Sequence, residues 1–265
     1  CTPSGNPCAF FTINLTSTNV NCNGSANGTA TATIVGGTGP FSYNWNPTGQ
    51  TTATATGLGP GTYLVTVTDG LGNICFCSIA ITEPPALIAF PFGVFNPLCN
   101  GDCTGTATVS QVGGTPGYTY LWSTIPAQTT ATATGLCAGT YTCVITDANG
   151  CSPPSATVVM TIIEPTAITP NGSSTSVTCF GFCNGTATVT PSGGTLPYTY
   201  SWTTIPPQGT PSISNLCPGT YTCYITDANG CTNTYVATIT QPPSPLATSI
   251  TTTNNPVACN GNCTA

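Results

Sequence analysis

An internal repeat of about 80 residues organises the chain. The first cysteines of four successive copies are Cys22, Cys99, Cys179 and Cys259, separated by 77, 80 and 80 residues. Each complete copy contains, in the same order, a Gly-Thr-Ala-Thr segment, a Gly-Gly-Thr turn, an aromatic segment, a Gly-Thr-Tyr segment, a hairpin turn and an exit segment with proline. Short strands and turns at this spacing predict an all-β fold of tandem immunoglobulin-like, PKD-like β-sandwich repeats forming an elongated rod.

The copies divide the chain of 265 residues into five parts. Residues 1–7 are predicted to end a preceding unit or to form an N-terminal segment, and residues 246–265 to start a fourth repeat. The three complete repeats are predicted at 8–87, 88–166 and 167–245. Because proline-rich connections are stiff, we expect neighbouring repeats to be held at a fixed angle.

Each repeat has one row of aromatic residues. In a strand, every second side chain lies on the same face, so two Tyr or Phe residues and a Trp line up in each aromatic segment. The predicted core anchors are these Trp residues and the Tyr of each Gly-Thr-Tyr segment, which resembles a tyrosine corner: Trp45, Trp122, Trp202, Tyr63, Tyr141 and Tyr221.

The charge composition excludes several functions. The chain has no Lys, Arg or His, its six acidic residues give a net charge of -6, and only 2% of its residues are charged. Without cations the chain cannot neutralise phosphates, which excludes nucleic acid as a partner. No apolar run reaches the about 20 residues that cross a bilayer, so no membrane insertion is expected in this segment. We expect no catalytic residues and no enzyme, since serine or cysteine nucleophiles lack a histidine or lysine base.

The ordered motifs resemble a known family. They run Cys-x-Gly-x-Cys-x-Gly-Thr-Ala-Thr-Val, then Gly-Gly-Thr-x-Pro-Tyr-Thr-Tyr-x-Trp, then Leu-Cys-x-Gly-Thr-Tyr-Thr, then Asp-Ala-Asn-Gly-Cys. This pattern looks like the SprB repeat, over essentially residues 20 to 265. The resemblance implies a non-catalytic repeat protein located outside the cell, on the bacterial cell surface. SprB repeats form the shafts of gliding-motility and related adhesins exported by type IX secretion.

A comparison of the copies predicts the first cysteine pairs. The chain has 17 cysteines, which favours an oxidising, extracellular compartment. The first copy has Ala26 and Gly59 where the other two copies have cysteines, and both cysteines are lost together. We therefore predict one disulfide within each of the second and third repeats, Cys103–Cys137 and Cys183–Cys217.

Two further cysteines persist in every complete copy. The simple expectation is a bond within each repeat, which would join Cys99 to Cys151, Cys179 to Cys231 and Cys22 to Cys75. The alternative is a bond between consecutive repeats, Cys22 with Cys151 and Cys99 with Cys231, because the first loop and the last hairpin lie at opposite ends of an immunoglobulin-like sandwich.

Cys143 stands where the first copy has Val65. This replacement favours a buried, unpaired thiol that packs as a small apolar side chain. A bond to Cys103 or to a neighbouring chain is the alternative.

Four acidic residues are candidate ligands for calcium. Glu83 and Glu164 end one repeat, and Asp147 and Asp227 lie in the last hairpin of the next repeat, so an oxygen-lined calcium site at the junction is possible. The alternative, which the sequence favours, is that the Asp-Ala-Asn-Gly segments are turns in which Asp accepts backbone hydrogen bonds. Apart from this calcium site, no cofactor is expected.

We expect the chain to be a structural shaft whose first partners are neighbouring repeats of the same chain, followed by other copies in a filament or bundle. The alternative function is a module that binds glycans or protein surfaces through its loops or its Thr-rich faces. Phe90, Phe92 and Phe95 fall outside the predicted core rows, and we expect them to pack at the joint between the first two repeats.

Overall fold

The computed structural model describes residues 10–153 and 156–243. In these ranges the fold is all-β: 18 strands form six sheets of three strands, with no α-helix. None of the described residues forms a helix of the length and apolar character that a membrane span needs. The predictions for residues 1–7 and 246–265 lie outside the described residues.

The first sandwich consists of β1 to β6. The strands are β1 Phe11–Thr18, β2 Gly28–Gly36, β3 Ser42–Asn46, β4 Thr54–Leu58, β5 Gly61–Thr68 and β6 Ile74–Ile81. One sheet has the order β1-β2-β4 and the other β3-β5-β6, and neighbouring strands in both are antiparallel. Its buried core lies between the two sheets and includes Trp45, Leu58 and Val65.

The second sandwich repeats this order. Its strands are β7 Ile88–Phe95, β8 Gly105–Val112, β9 Thr119–Trp122, β10 Thr132–Leu136, β11 Gly139–Thr146 and β12 Thr157–Ile162. Its sheets are β10-β8-β7 and β12-β11-β9.

The third sandwich has the same six strands. They are β13 Gly172–Thr175, β14 Gly185–Val189, β15 Thr199–Trp202, β16 Ser212–Leu216, β17 Gly219–Thr226 and β18 Thr232–Ile239. The sheets are β13-β14-β16 and β15-β17-β18. The strands of each sandwich fall within the range predicted for one repeat.

Alternation along each strand separates the core from the surface. In β2, Gly28, Ala30 and Ala32 are buried while the threonines between them are partly exposed. These threonines bond across the strands instead of carrying charge: the hydroxyls of Thr31 and Thr54 are 3.1 Å apart. The outer face of this strand is therefore polar without Lys or Glu.

The predicted tryptophan anchors occupy the centre of each sandwich. The exposed fraction of Trp45 is 0%, and that of Trp122 and Trp202 is 1%. Each indole N–H donates to a backbone carbonyl eight or fewer residues ahead, for example Trp122 Nε1 to Thr130 O at 2.8 Å. Burial of the ring therefore leaves no unsatisfied donor.

The tyrosine at the start of the penultimate strand forms a tyrosine corner. Tyr63 Oη donates to Gly59 O and Tyr221 Oη to Cys217 O, both at 3.0 Å. Tyr63 is buried, whereas Tyr141 and Tyr221 are half-buried. The two-sheet strand order together with this corner identifies the sandwiches as immunoglobulin-like.

The described residues form two compact units. The first contains the described residues of Cys1–Val94, Ala107–Ala133 and Thr140–Met160. The second contains Phe95–Thr106, Thr134–Gly139 and the described residues of Thr161–Ala265. The division passes through the second sandwich, so each unit contains one junction between consecutive repeats.

Candidate functional site

Disulfides between consecutive repeats define the candidate site. In the first unit Cys22 is bonded to Cys151, with the Cα atoms 5.7 Å apart. In the second unit Cys99 is bonded to Cys231, with the Cα atoms 5.5 Å apart. Each bond joins the loop after the first strand of one repeat to the last hairpin of the following repeat.

These bonds correct the simpler prediction of pairing within a repeat. Cys99–Cys151, Cys22–Cys75 and Cys179–Cys231 are wrong, because Cys22, Cys99, Cys151 and Cys231 have other partners. The physical reason is visible in the first sandwich. Its β1–β2 loop and its β5–β6 turn lie at opposite ends of the strands, so their cysteines cannot meet. Cys75, Cys77 and Cys179 are also in the disulfide state.

The predicted bonds within repeats are present in the structure. Cys103 is bonded to Cys137 and Cys183 to Cys217, with Cα atoms 3.9 and 3.8 Å apart. Each joins the loop after the first strand of its repeat to the turn before the penultimate strand. The loop that carries the junction cysteine Cys99 is therefore anchored four residues later to its own sandwich.

An aspartate shapes the hairpin that offers the second junction cysteine. Asp147 Oδ1 accepts the backbone N–H groups of Asn149 and Cys151 at 2.9 Å, and its Oδ2 accepts that of Thr115 at 2.8 Å. Asp227 forms the same three bonds in the third repeat. Gly150 and Gly230 complete the turns with φ of +79° and +85°, a region that favours glycine.

The same hydrogen bonds stabilise the charged carboxylates. Desolvation by burial raises the pKa of Asp147 and of Asp227, but the backbone hydrogen bonds outweigh it, so each pKa lies below its ordinary value of 3.8. Hydrogen bonds with Asn73, and with the backbone of Leu71 and Thr38, likewise lower the pKa of Asp69, the equivalent residue in the first repeat, against the effect of burial.

An asparagine adds a hydrogen bond across each junction. Asn149 Nδ2 donates to Thr115 Oγ1 and to Asn21 O, both at 2.9 Å, and Asn21 precedes the junction cysteine Cys22. Asn229 Nδ2 donates to Leu98 O at 3.1 Å in the same way. This role of the asparagine was not predicted from the sequence, although the recurring Asp-Ala-Asn-Gly-Cys motif was a usable signal.

The glutamates anchor the other side of the junction. Glu83 Oε2 accepts the backbone N–H of Gly24, and Glu164 Oε2 that of Gly101, both at 2.6 Å. The amide oxygen of Gln241 accepts the backbone N–H of Gly181 at 3.3 Å. Because a neutral amide takes the same place in the third repeat, the bond needs an acceptor oxygen rather than a charge.

The carboxylates named as candidate calcium ligands accept backbone hydrogen bonds. Both carboxylate oxygens of Asp147 and of Asp227, and Oε2 of Glu83 and of Glu164, accept backbone N–H groups of turns and loops. Among the described residues, no three His, Cys, Asp or Glu side chains gather where they could hold a metal ion. The bonds favour the turn interpretation of these residues.

A cleft accompanies each junction. The cleft of the first unit, about 380 Å³, lies among the Cys22 loop, the exit Pro84–Leu87 and the Asp147 hairpin. The cleft of the second unit, about 410 Å³, lies among the equivalent segments of the next two repeats. The lining of the two clefts differs: Asn233 lines the second cleft where Pro153 lines the first, and Asp102 lines the second cleft only.

Among the residues that the structure describes, two cysteines are free thiols. Cys143 and Cys223 are fully buried and unpaired, as the replacement by Val65 indicated. Burial raises the pKa of Cys143 to about 11 and also raises that of Cys223. Both thiols therefore stay protonated at neutral pH and pack as apolar side chains.

The phenylalanines of β7 do not pack as expected. The exposed fractions of Phe92 and Phe95 are 74% and 73%, and that of Phe90 is 38%. The prediction that these rings fill the joint is wrong. Outside the two junctions, β7 therefore presents apolar side chains to solvent.

Comparisons with solved structures return tandem immunoglobulin domains. Eight N-terminal Ig domains of Down Syndrome Cell Adhesion Molecule match with 12% identity and a TM-score of 0.36, covering 81% of this chain and 34% of that chain. Sidekick-1 immunoglobulin domains 1-5 match with 13% identity and a TM-score of 0.34, covering 88% and 59%. The chain thus spans less than two thirds of either structure. Dpr2 Ig1-Ig2 in complex with DIP-Theta Ig1-Ig3 matches with 9% identity and a TM-score of 0.34, covering 88% and 100%.

No curated protein sequence matches the chain. The family comparison does find matches: the SprB repeat model fits residues 14–51, 94–127 and 171–206. Each matched segment begins in or next to the first strand of a sandwich and ends after its aromatic strand. Three segments of the chain therefore match the SprB repeat model, one in each immunoglobulin-like sandwich.

Proposed function

We propose that the chain is part of the structural shaft of an extracellular, cell-surface adhesin or filament of the gliding-motility or attachment type, exported by type IX secretion. The observation that carries the proposal is the pair of disulfides between consecutive repeats, since they fix how one sandwich is joined to the next. The SprB repeats and the number of disulfides support a location outside the cell, on a bacterial surface.

In this proposal the shaft has a structural role and catalyses no reaction. Its partners are the neighbouring repeats of the same chain, with other copies, external surfaces or glycans contacted beyond them. It needs no catalytic group and no cofactor, and a chain without Lys, Arg or His has few means to perform acid–base catalysis.

Electron microscopy of the purified full chain tests the shaft proposal. We expect thin, elongated particles of uniform width in which successive repeats lie in line. A compact, round particle for the oxidised chain would contradict the proposal. A sample reduced under denaturing conditions serves as the control, because it loses the bonds between repeats.

A glycan- or protein-binding module is the second candidate, and the exposed phenylalanines of β7 favour it. Exposed aromatic rings are common where proteins bind sugars or partner surfaces. Glycan-array screening of the full chain and of Phe92→Ala tests this candidate. Signal that is lost in Phe92→Ala supports it, and the absence of any signal from the unmodified chain contradicts the glycan form.

A further inference from the structure

The order of the disulfides along the chain has a mechanical consequence. The bond Cys22–Cys151 and the bond Cys99–Cys231 interleave, since Cys99 lies between Cys22 and Cys151 in the sequence. The bond Cys103–Cys137 lies inside the stretch that both bonds enclose. The three bonds therefore form one connected covalent network rather than three separate loops.

The network contains a short route across the second repeat. From Cys22 it passes through the disulfide to Cys151, then back along 14 residues to Cys137. It crosses the disulfide to Cys103, runs back four residues to Cys99, and crosses the last disulfide to Cys231. This route uses 18 residue steps, whereas the backbone from Cys22 to Cys231 has 209.

We infer that the three disulfides form a covalent tether that carries tension from the first repeat to the third, while the backbone from 23 to 98, from 104 to 136 and from 152 to 230 is bypassed. At about 3.3–3.6 Å per residue, the 18 steps and three disulfides span at most about 80 Å, against about 700 Å for the unbridged backbone. The limit holds even if every strand of the three repeats unfolds, because covalent bonds and not folding set it.

Each disulfide has a distinct role in the tether. The two junction bonds transfer load between repeats, and the bond Cys103–Cys137 shortens the route inside the second repeat. Without that inner bond the route from Cys151 to Cys99 follows the backbone for 52 residues, which is 34 steps longer than the route through the bond. This assigns a load-bearing role to a bond that would otherwise count as local stabilisation of one loop.

Single-molecule stretching of the full chain tests whether the disulfides form this tether. Azide-bearing residues replace Thr16 and Val236, two exposed positions just outside the route, and carry the pulling handles. For the oxidised chain we expect no extension beyond the short route and the 11 residues between it and the handles, about 120 Å in all. The fully reduced chain should gain the bypassed 191 residues, about 690 Å of contour length.

A variant and a matched control distinguish the effect of the inner bond on the extension from the effect of removing any disulfide. Cys103→Ser with Cys137→Ser should lengthen the stretched chain by 34 residues, about 120 Å. Cys183→Ser with Cys217→Ser removes the equivalent bond of the third repeat, which lies off the route, and should leave the extension unchanged. An oxidised chain that extends like the reduced chain, or a Cys103/Cys137 variant that extends no further than the unmodified chain, would overturn the inference.

The inference of a covalent tether goes beyond the proposed function, and the stretching experiment tests it on the isolated chain. Failure of the stretching experiment would leave the shaft proposal intact, since electron microscopy tests that proposal separately. A compact particle in the microscope would reject the shaft but not the covalent route.

Discussion

At the scale of single residues, the position opposite the core tryptophan holds valine in one sandwich and cysteine in the other two. Val65 pairs with Trp45 in the first repeat, whereas Cys143 pairs with Trp122 and Cys223 with Trp202 in the other two. All three are fully buried. The shared position explains why a thiol and an isopropyl group replace each other in the same chain.

Cys143→Val should therefore be tolerated. Exchange of apolar groups of similar volume usually costs less than about 1.5 kcal/mol of unfolding free energy. Chemical denaturation of the oxidised full chain measures the change. Cys143→Asn is the contrasting variant, because it buries an amide without partners and should cost about 1–3 kcal/mol. A large loss in Cys143→Val would contradict the role of a packing residue.

The hairpin aspartates make stability depend on pH. The pKa values of Asp147 and Asp227 are lowered in the folded state, so both groups contribute stability above their unfolded pKa near 3.8 and lose it as the pH falls through the folded pKa. We expect the unfolding free energy to change little between pH 7 and pH 5 and to fall below about pH 4.

Asp147→Asn with Asp227→Asn tests this origin of the acid sensitivity. The double variant should be less stable than the unmodified chain at pH 7, and the difference should shrink towards pH 2.5. Thermal unfolding across this pH range is the measurement. A difference that stays the same at every pH would rule out the ionised carboxylates as its cause.

At the scale of strands, the glycine that opens each Gly-Thr-Ala-Thr segment lies where another side chain has no room. A Cβ atom on Gly105 would come within 2.7 Å of Leu136 O and 2.9 Å of Ile162 Cγ2. Gly28 and Gly185 are equally close to the matching leucine carbonyl and isoleucine. The recurring glycine thus reflects close packing of the first sheet against the last strand.

Gly105→Ala should lower the unfolding free energy by about 1–3 kcal/mol, because the added methyl group overpacks this contact. Gly93→Ala is a matched control in the neighbouring strand β7, where a Cβ would meet nothing within 4 Å. We expect the control to be neutral or to stabilise by up to about 1 kcal/mol. Denaturant unfolding compares the two, and equal losses would show that the contact at Gly105 is not the cause.

Much of the fold was predictable because its signals are local. Alternating Thr and Ala, glycine turns and the spacing of Tyr and Trp specify strands, faces and the tyrosine corner within a few residues. The cysteine pairs within a repeat were also predictable, since Ala26 and Gly59 show that both partners are lost together.

The junction was less predictable because its partners are distant in sequence. The bond Cys22–Cys151 spans 129 residues, and all complete copies keep both cysteine positions, so their presence does not distinguish pairing within a repeat from pairing between repeats. The hydrogen bond from Asn149 to Asn21 O was hard to predict for the same reason, because its partners are also distant in sequence. Exposure of Phe92 was missed because an aromatic side chain in a strand is more often buried.

At the scale of the whole molecule, the covalent connections between repeats distinguish this chain from a string of independent domains. Linkers alone leave neighbouring domains free to move unless their interface is large and apolar. Here a disulfide, an asparagine hydrogen bond and a glutamate-anchored loop meet at each junction. Load on one repeat is thus passed to the next through bonds rather than through packing alone.

Peptide mapping of the non-reduced chain tests this claim most directly. A protease that cuts before aspartate separates Cys99 from Cys103 at Asp102, and one that cuts beside aromatic residues divides the remaining segments. Mass spectrometry should then find Cys22 linked to Cys151 and Cys99 linked to Cys231. Peptides that link Cys22 to Cys75 or Cys99 to Cys151, with none linking consecutive repeats, would contradict the account.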